Sequence, residues 1–372
     1  MHIGVPKEIK NHEYRVGLSP ESVRELTIHG HKVMVESGAG AGIGADDNTY
    51  DQMGAEISRD SAAIFSTAEM IVKVKEPQKK ERAMLREGQI LFCYLHLAPD
   101  PEQAADLVKS GAICMAYETV TSALGGLPLL APMSKVAGRM SIQAGAYCLE
   151  RTHGGLGILL GGVPGVKPAK VLILGAGVVG THAAHIAVGM GADVWVVDRA
   201  PDVLESHWRQ FGRNTNTVFS TKNAIEQHAL QADLIIGGVL IPGATAPKLI
   251  TEKMVHNMKP GVVMVDVAID QGGCFETSRP TTHDDPTYSI NEVVHYCVEN
   301  MPGGVPRTST FALNNVTLPH VLMLATKGYQ KALLEDQYLR QGLNVCSGNI
   351  TCAEIANALG YEYLPAEDAL RA

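Results

Sequence analysis

The alternation of apolar and polar positions along the chain predicts strands and helices that follow one another in turn. Several short β-branched runs are continuously apolar, as expected for strands of a parallel sheet that is covered on both faces. Candidate strands lie at 31–37, 68–75, 89–96, 111–119, 170–177, 193–198, 232–239 and 261–268. Candidate helices, each ending at a glycine, lie at 19–30, 99–111, 178–191 and 251–261. The pattern predicts an α/β protein with parallel sheets flanked by helices.

Two stretches interrupt this alternation and predict the domain boundaries. Residues 124–150 open rich in glycine and proline and then become helical, and residues 299–310 show the same change. We interpret both as crossings between domains. The chain would then form one domain from 1–129 plus 306–372 and a second, inserted domain from 130–305. A length of 372 residues suits two domains.

Composition narrows the class of protein. Hydrophobic residues make up 45% of the chain and charged residues 19%, which is typical of a globular protein. The net charge of −8 gives no basic footprint for nucleic acid, and no apolar run is long enough to span a bilayer. The seven cysteines form no CxxC pair and most lie in apolar runs, which predicts buried, reduced thiols in a cytosolic protein.

A glycine-rich motif in the middle of the chain predicts a dinucleotide site. Gly175, Gly177 and Gly180 form a GxGxxG pattern directly after an apolar strand and directly before a helix. Such glycines allow a tight turn, close approach of a pyrophosphate and close helix–strand packing, with the phosphates at the helix N-terminus. Asp198 ends the next strand and would bind the ribose hydroxyls of NAD, although Arg199 beside it would suit NADP. The alternative is a strand–turn–helix without a cofactor.

Polar side chains at the ends of three apolar strands are candidate catalytic residues. Lys75 and His96 end the strands at 68–75 and 89–96, and Asp270 closely follows the strand at 261–268. Ligands of open α/β sheets bind beyond the carboxyl ends of the strands. An amine, an imidazole and a carboxylate there could act together in a cleft between the domains. Each could also be a solvated loop residue.

Other polar residues leave alternatives open. Arg15 follows the first short strand and could bind a substrate carboxylate, or it could be a surface arginine. Glu118 could pair with Lys75 or cap a loop, and Asp266 could be a structural partner within its strand. The sequence predicts no metal site, since the closely spaced His182 and His185 have no carboxylate nearby.

Over nearly its full length the chain resembles the alanine dehydrogenases, a family that shares a superfamily with the nucleotide-binding subunit of proton-translocating transhydrogenase. The segments that carry the resemblance keep the family's order and spacing: IGVPKEIKNHEYRVGLSP, VKVKEP, YLHLA, MSKVAGRMSIQAGA, GAGVVG, VDVAIDQGGCFETSRPTTH and VENMPGGVPRTST. The transhydrogenase subunit lacks the catalytic histidine and aspartate that match His96 and Asp270 here.

The resemblance implies roles for individual residues. It makes Arg15 the ligand of the substrate carboxylate, Lys75 the ligand of the carbonyl, and His96 with Asp270 the catalytic pair. The implied NAD contacts are Ser134, Gly175, Gly177, Val178, Val179, Gly180, Asp198, Ser220, Val239, Leu240, Val267, Ala268, Ile269, Asp270, Arg279, Val298, Glu299, Asn300 and Met301. Met133 and Met301 would flank the nicotinamide. Val203 stands where the family often has a basic residue, and Arg199 could replace that contact.

The resemblance also implies an overall function. It implies two Rossmann-like domains, with the catalytic domain at 1–129 plus 306–372, the NAD domain at 130–305 and the active site in the cleft between them. The implied reaction is the reversible oxidative deamination of L-alanine to pyruvate and ammonium with NAD, in a cytoplasmic homohexamer. Two alternatives are a related amino-acid or opine-type dehydrogenase and a non-catalytic NAD(H)-binding subunit.

Overall fold

The computed structural model describes residues 1–239 and 246–371, which form two compact units. The first unit contains Met1–Met133 and the residues from Gly303 onward, and the second contains Ser134–Pro302. The chain therefore leaves the first unit once and returns to it. The assignment of substrate to one domain and NAD to the other stays a prediction.

The first unit is built on one eight-stranded sheet. Its strands are β1 (His2–Val5), β2 (Lys32–Glu36), β3 (Glu56–Ser58), β4 (Met70–Val72), β5 (Ile90–Cys93), β6 (Ile113–Ala116), β14 (Leu343–Cys346) and β15 (Asn349–Ile350). They pair in the order β15-β14-β6-β5-β4-β1-β2-β3. Strands β1 to β6 run parallel, β14 is antiparallel to β6, and β15 is antiparallel to β14. The carboxyl ends of β6, β5, β4 and β1 therefore lie next to one another.

Helices connect and cover these strands. They are α1 (Pro20–Ile28), α2 (Asp47–Gln52), α3 (Ser61–Thr67), α4 (Lys79–Arg82), α5 (Pro101–Ser110), α11 (Pro306–Lys327), α12 (Tyr329–Glu335), α13 (Gln337–Arg340), α14 (Ala353–Leu359) and α15 (Ala366–Arg371). Helix α1 begins where the sequence predicts, because the Ser19 side chain accepts from the backbone N–H of Ser22 and Pro20 is the first helical residue. Asn314 of α11 accepts from the backbone of Ser19 at 2.8 Å and so ties the returning chain to α1.

The second unit has the strand order of a dinucleotide-binding fold. Its strands are β7 (Lys170–Leu174), β8 (Asp193–Asp198), β9 (Thr215–Phe219), β10 (Leu234–Gly237), β11 (Val263–Asp266), β12 (Thr287–Ile290) and β13 (Val293–Tyr296). They pair in the order β12-β13-β11-β10-β7-β8-β9, all parallel except β12. From β7 the chain adds β8 and β9 on one side of the sheet and then crosses to add β10 on the other side. Sheets of this kind bind nucleotides at such a switch point.

Among the described residues, five α-helices belong wholly or mostly to this unit. They are α6 (Ala131–Cys148), α7 (Val178–Gly189), α8 (Pro201–Phe211), α9 (Lys222–Ala229) and α10 (Glu252–His256). Small residues of α7 (Ala183, Ala184 and Ala187) are fully buried in one of the unit's apolar clusters, which also holds Val171 and Ile173 of β7. Close packing of this kind fixes the start of α7 at the end of β7.

The architecture confirms the predicted fold class: two sheets of mostly parallel strands are flanked by helices. All eight candidate strands are present, seven of them with tighter bounds and β8 with the predicted ones, but the helix expected over 251–261 is only the short α10. The cysteines are free, and all are buried except the half-buried Cys352. Within residues 1–239 and 246–371 no helix is long and apolar enough to cross a membrane.

Candidate functional site

Four of the candidate side chains lie at one edge of the first unit's sheet. Arg15 follows β1, Lys75 follows β4, His96 follows β5 and Glu118 follows β6. These four parallel strands are neighbours in the sheet. The topology thus places an arginine, a lysine, a histidine and a glutamate in the segments that follow four neighbouring strands.

Arg15 is a buried, ion-paired arginine. Its Nε donates to Oε1 of Glu13 at 2.7 Å, and its Nη2 donates to the other oxygen of the same carboxylate. Its Nη1 lies 2.9 Å from the sulfur of Met133. Burial alone would lower the pKa of Arg15, but the pairing with Glu13 outweighs burial and raises it. The interpretation of Arg15 as a surface arginine is therefore wrong.

Beneath this edge lies a buried charge cluster that the sequence did not reveal. Lys73 is completely buried, and its Nζ lies 2.7 Å from Glu81 and 3.2 Å from Glu8. Burial lowers the pKa of Lys73, but the two carboxylates outweigh that effect and raise it. Burial raises the pKa of Glu8 to about 6 despite the attraction of Lys73. Lys75, two residues further on, is half-buried instead, so the two lysines of VKVKEP have different environments.

Glu118 holds the backbone that carries His96. Its carboxylate accepts from the N–H of His96 at 2.6 Å and from the N–H of Leu95 at 3.1 Å. His96 has φ +49°, a left-handed conformation that non-glycine residues adopt only when the surroundings enforce it. The imidazole stacks on Tyr94, with ring centroids 5.9 Å apart, and 46% of the side chain is exposed. Glu118 is thus a loop-capping residue that orients His96.

In the second unit the three fingerprint glycines have different steric surroundings. Gly175 has φ +97°, which favours glycine. A Cβ on Gly180 would lie 1.8 Å from the carbonyl oxygen of Gly175, so only glycine allows the helix to pack this closely. A Cβ on Gly177, by contrast, would meet no atom within 4 Å. The backbone at Gly177 therefore faces open space at the start of α7, where a phosphate would be bound.

Asp198 is tied to this turn and retains capacity to bind a ligand. Its Oδ2 accepts from the N–H of Ala176 at 2.8 Å and its Oδ1 from the N–H of Ala200 at 2.9 Å. Each carboxylate oxygen can accept a second hydrogen bond, as ribose hydroxyls would require. Arg199 is exposed beside it. The glycines and Asp198 thus fit a dinucleotide.

Most of the other predicted cofactor residues follow strands at the same carboxyl edge. Ser220 follows β9 and Val239 follows β10. Strand β11 is followed by Val267, Ala268, Ile269 and Asp270, and β13 is followed by Val298, Glu299, Asn300 and Met301. Ser134 lies in α6, and Val178 and Val179 open α7. The Arg279 guanidinium lies over the Tyr288 ring, 4.1 Å from its centroid. Leu240 lies outside the described residues.

Asp270 lies on a single 3₁₀ turn, Ile269–Gln271, beyond β11 and is exposed. Asp266, the last residue of β11, is fully buried and accepts hydrogen bonds from the loop that follows it. Asp266 is thus a structural partner, as its place within the strand predicts. Among the described residues no group of three or more His, Cys, Asp or Glu side chains could hold a metal ion.

This architecture defines the class of two-domain α/β dehydrogenases, in which one sheet presents a dinucleotide fingerprint and the other presents polar side chains at its carboxyl edge. The chain belongs to the alanine dehydrogenase/PNT family. The model of the N-terminal domain matches residues 4–137, and the model of the C-terminal domain matches residues 141–353.

Individual relatives match over nearly their full length. The alanine dehydrogenase of Halomonas elongata is 57% identical over 366 residues, 98% of this chain and 99% of the relative. That of Bacillus subtilis is 54% identical over 372 residues, 100% of this chain and 98% of the relative. A solved L-alanine dehydrogenase superposes with a TM-score of 0.94 at 50% identity, covering 97% of this chain and 99% of that one. A transhydrogenase from Sinorhizobium meliloti gives 0.81 at 25% identity, covering 95% of this chain and 99% of that one.

Proposed function

We propose that this protein is an NAD-dependent L-alanine dehydrogenase that interconverts L-alanine, NAD and water with pyruvate, ammonium and NADH. The observation that carries the proposal is the 57% identity with a relative named alanine dehydrogenase across 98% of the chain. The edge that carries Arg15, Lys75 and His96 supports it, because a small keto or amino acid needs a carboxylate ligand, a carbonyl ligand and a proton donor.

The second unit would hold NAD. Asp198 would bind the adenine ribose, the backbone from Gly175 to Val179 would bind the pyrophosphate at the start of α7, and Arg279 and Asn300 would contact the cofactor further along. When bound, the nicotinamide ring takes up the two electrons and the hydrogen that leave the substrate Cα. The carboxylate of Asp198 favours NAD over NADP, because a 2′-phosphate would face a negative charge.

Arg15 and Lys75 would bind the substrate. The Arg15 guanidinium is already oriented by Glu13 and would hold the substrate carboxylate, while the Lys75 ammonium would stabilise negative charge on the carbonyl oxygen. Arg15→Ala should chiefly raise KM for pyruvate. An unchanged KM would contradict this role.

His96 and Asp270 would move protons. The half-exposed His96 imidazole would give a proton to the carbonyl or carbinolamine oxygen and take it back in the reverse reaction. The Asp270 carboxylate would orient the water or the ammonia and accept its proton. The placement of this site in a cleft between the domains stays a prediction.

Substitution of the catalytic pair tests the proposal. His96→Ala and Asp270→Asn should each lower kcat by about 10²-fold or more while NADH affinity, measured by fluorescence titration, stays close to that of the wild type. Near-wild-type turnover in either variant would contradict the assignment.

A non-catalytic NAD(H)-binding subunit is the second candidate, favoured by the likeness to a transhydrogenase across 95% of the chain. It predicts NADH binding without deamination. A panel of L-amino acids, followed by NADH absorbance, separates the candidates: activity on alanine alone supports the proposal, activity on larger amino acids indicates a related dehydrogenase, and no activity indicates the subunit.

The proposal extends to a cytoplasmic homohexamer, which rests on the family resemblance. Light scattering coupled to size-exclusion chromatography would test it, since the proposal requires six times the mass of one chain.

A further inference from the structure

The turn that carries Asp270 is organised around a buried carboxylate that does not itself reach the surface. Asp266 is completely buried at the end of β11, a strand flanked on both sides by β10 and β13. A buried carboxylate is unfavourable unless several donors compensate it. In Asp266 these donors come from the loop that follows β11.

Both ends of the turn donate to Asp266. The N–H of Ala268 lies 3.2 Å from its Oδ1, and the N–H of Cys274 lies 2.8 Å from its Oδ2. Oδ2 also accepts from the Ser278 hydroxyl at 2.5 Å and from the N–H of Phe275 at 3.4 Å. One side chain thus closes the segment between Ala268 and Cys274 into a loop, and Asp270 lies within that loop.

Backbone geometry shows how tightly the loop encloses this carboxylate. Gly273 has φ +77°, and a Cβ there would lie 2.6 Å from Oδ2 of Asp266. The loop also bonds to itself, since the N–H groups of Gln271 and Gly273 both donate to the carbonyl of Ala268, at 2.9 and 3.0 Å. The position of Asp270 is therefore coupled to the bonds at the ends of the loop, because the segment between those bonds is short.

The opposite side of the loop is held by a neighbouring segment. The Lys248 ammonium donates to the carbonyl of Phe275 at 3.0 Å and to that of Gly272, and the N–H of Ala246 donates to the carbonyl of Gln271 at 2.9 Å. The carbonyls of Gln271, Gly272 and Phe275 thus accept from Ala246 and Lys248, whereas the N–H groups of Ala268, Cys274 and Phe275 donate to Asp266. Without the carboxylate, these N–H groups would lose their common acceptor.

We infer that Asp266 is a positioning residue for Asp270, because its carboxylate ties both ends of the loop and thereby sets where the Asp270 side chain is held. This inference rests on the proposed catalytic role of Asp270. Asp266 would not contact the substrate, and its effect would pass through the main chain of residues 267–274.

Two substitutions weaken the arrangement to different degrees. Asp266→Asn replaces one acceptor oxygen with an amide NH₂ group, which is itself a donor. That group would then face the donors that now bind the carboxylate oxygen. Ser278→Ala removes a single donor and is the milder variant, which keeps the test usable if Asp266→Asn folds poorly. The matched control is Asp233→Asn. Asp233 also ties backbone in the same unit, accepting from the N–H of Lys170 at 2.9 Å, but at the amino edge of the sheet.

The experiment compares kcat, thermal stability and hydrogen exchange of residues 267–278 in the full-length variants. We expect Asp266→Asn to lower kcat at least about tenfold and Ser278→Ala to lower it less, each with faster exchange in this loop, because misplacement of a catalytic group by about 1 Å costs about 10²-fold. Asp233→Asn should lower stability while leaving kcat unchanged. Wild-type kcat in both Asp266→Asn and Ser278→Ala, with faster exchange in the loop, would overturn the inference.

A double-mutant cycle separates positioning from general stability. In an Asp270→Asn background, Asp266→Asn should change the residual kcat by less than about threefold. The reason is that the effects of substitutions at two residues are not additive when one residue acts through the other. Additive losses would overturn the inference. If Asp270→Asn alone keeps wild-type kcat, the proposed role of Asp270 fails instead, which is a different result.

Discussion

Arg15 and Glu13 form a fully buried pair in which both carboxylate oxygens accept from the guanidinium. The backbone N–H of Arg15 also donates to Glu13, at 3.0 Å, so the glutamate fixes both the main chain and the side chain. A substrate carboxylate at Arg15 would therefore bind a guanidinium that is already oriented. Little rotamer entropy would then be lost on binding.

Glu13→Gln should weaken substrate binding more than chemistry. The amide keeps one acceptor but loses the charge, so Arg15 becomes freer to rotate. We expect KM for pyruvate to rise about tenfold, about 1.4 kcal/mol, with a smaller change in kcat. Steady-state kinetics at saturating NADH measure both parameters. A fall in kcat with unchanged KM would show that Glu13 does not act through Arg15.

Two glycines of the fingerprint should respond differently to alanine. Gly177→Ala places a methyl group in open space, so the protein should fold normally but bind NADH at least about tenfold more weakly, since the methyl would occupy the phosphate position. Gly180→Ala places a methyl group against the Gly175 carbonyl and should lower the melting temperature. NADH titration and thermal denaturation of both variants measure the difference. Wild-type NADH affinity in Gly177→Ala would rule out a phosphate at that position.

Asp198→Ala should reduce the preference for NADH over NADPH. The variant loses the acceptor for the ribose hydroxyls and the charge that repels a 2′-phosphate, while the exposed Arg199 remains. We expect kcat/KM for NADH to fall by about tenfold or more and the ratio between the cofactors to narrow. Arg199→Ala in the same background is the control, since it should abolish any gained use of NADPH. An unchanged cofactor ratio in Asp198→Ala would contradict the ribose contact.

Lys73→Met should strongly destabilise the first unit. It leaves Glu8 and Glu81 buried near each other without a cation, and breaking a buried pair typically costs about 3–5 kcal/mol. Chemical denaturation measures the loss. Lys79→Met is the matched control, because Lys79 pairs with Glu102 in solvent and its removal should change stability little. Equal stability in the two variants would show that the buried cluster is not stabilising.

His207 should make the protein sensitive to acid. Burial lowers its pKa to about 4, and among the described residues neither ring nitrogen has a hydrogen-bond partner. The unfolded state binds the proton near its ordinary pKa, so the stability that neutral His207 allows is complete above about pH 6.5 and is lost as the pH falls toward 4. The loss is at most about 3 kcal/mol.

His207→Leu should therefore unfold at lower pH than the wild type and show similar stability at pH 8. Acid titration followed by circular dichroism measures the midpoint. The exposed His256 provides the control: His256→Leu should leave the midpoint in place. An acid midpoint that is the same in His207→Leu and the wild type would contradict the expected role.

The sequence predicted most strands in which a strong apolar pattern and burial coincide, but it missed β13 and β14, whose buried His295 and Asn344 interrupt the apolar run. Strands such as β7 and β11 are buried on both faces, and their apolar runs have few alternative structures. Strand β12 is only half-buried and β15 has two residues, so their patterns are weak and the sequence did not reveal them. Helix α10 ends at His256 although the apolar pattern continues, because Lys259 and Pro260 lead into a turn.

The strand ends at which candidate residues lie were predictable, but the contacts that support those residues were not. Strand ends identified Lys75 and His96, because a parallel sheet places such ends at one edge. The burial of Lys73 was not predictable, since its partners Glu8 and Glu81 come from separate parts of the chain and only the sheet brings them together. Glu13, by contrast, lies only two residues from Arg15, so the sequence alone indicates that the two side chains can pair.

The return of the chain from the second unit to the first has a consequence for synthesis on the ribosome. The second unit, residues 134–302, is continuous and can complete its sheet as soon as it emerges. The N-terminal part of the first unit is synthesised earlier, but it is incomplete until the residues after 302 are made. Only then can β14 pair with β6 and Asn314 of α11 accept from Ser19. The nascent N-terminal segment therefore waits, with one edge of its sheet uncovered, for translation of the last fifth of the chain. During that interval the unpaired edge of β6 can pair with a strand of another chain.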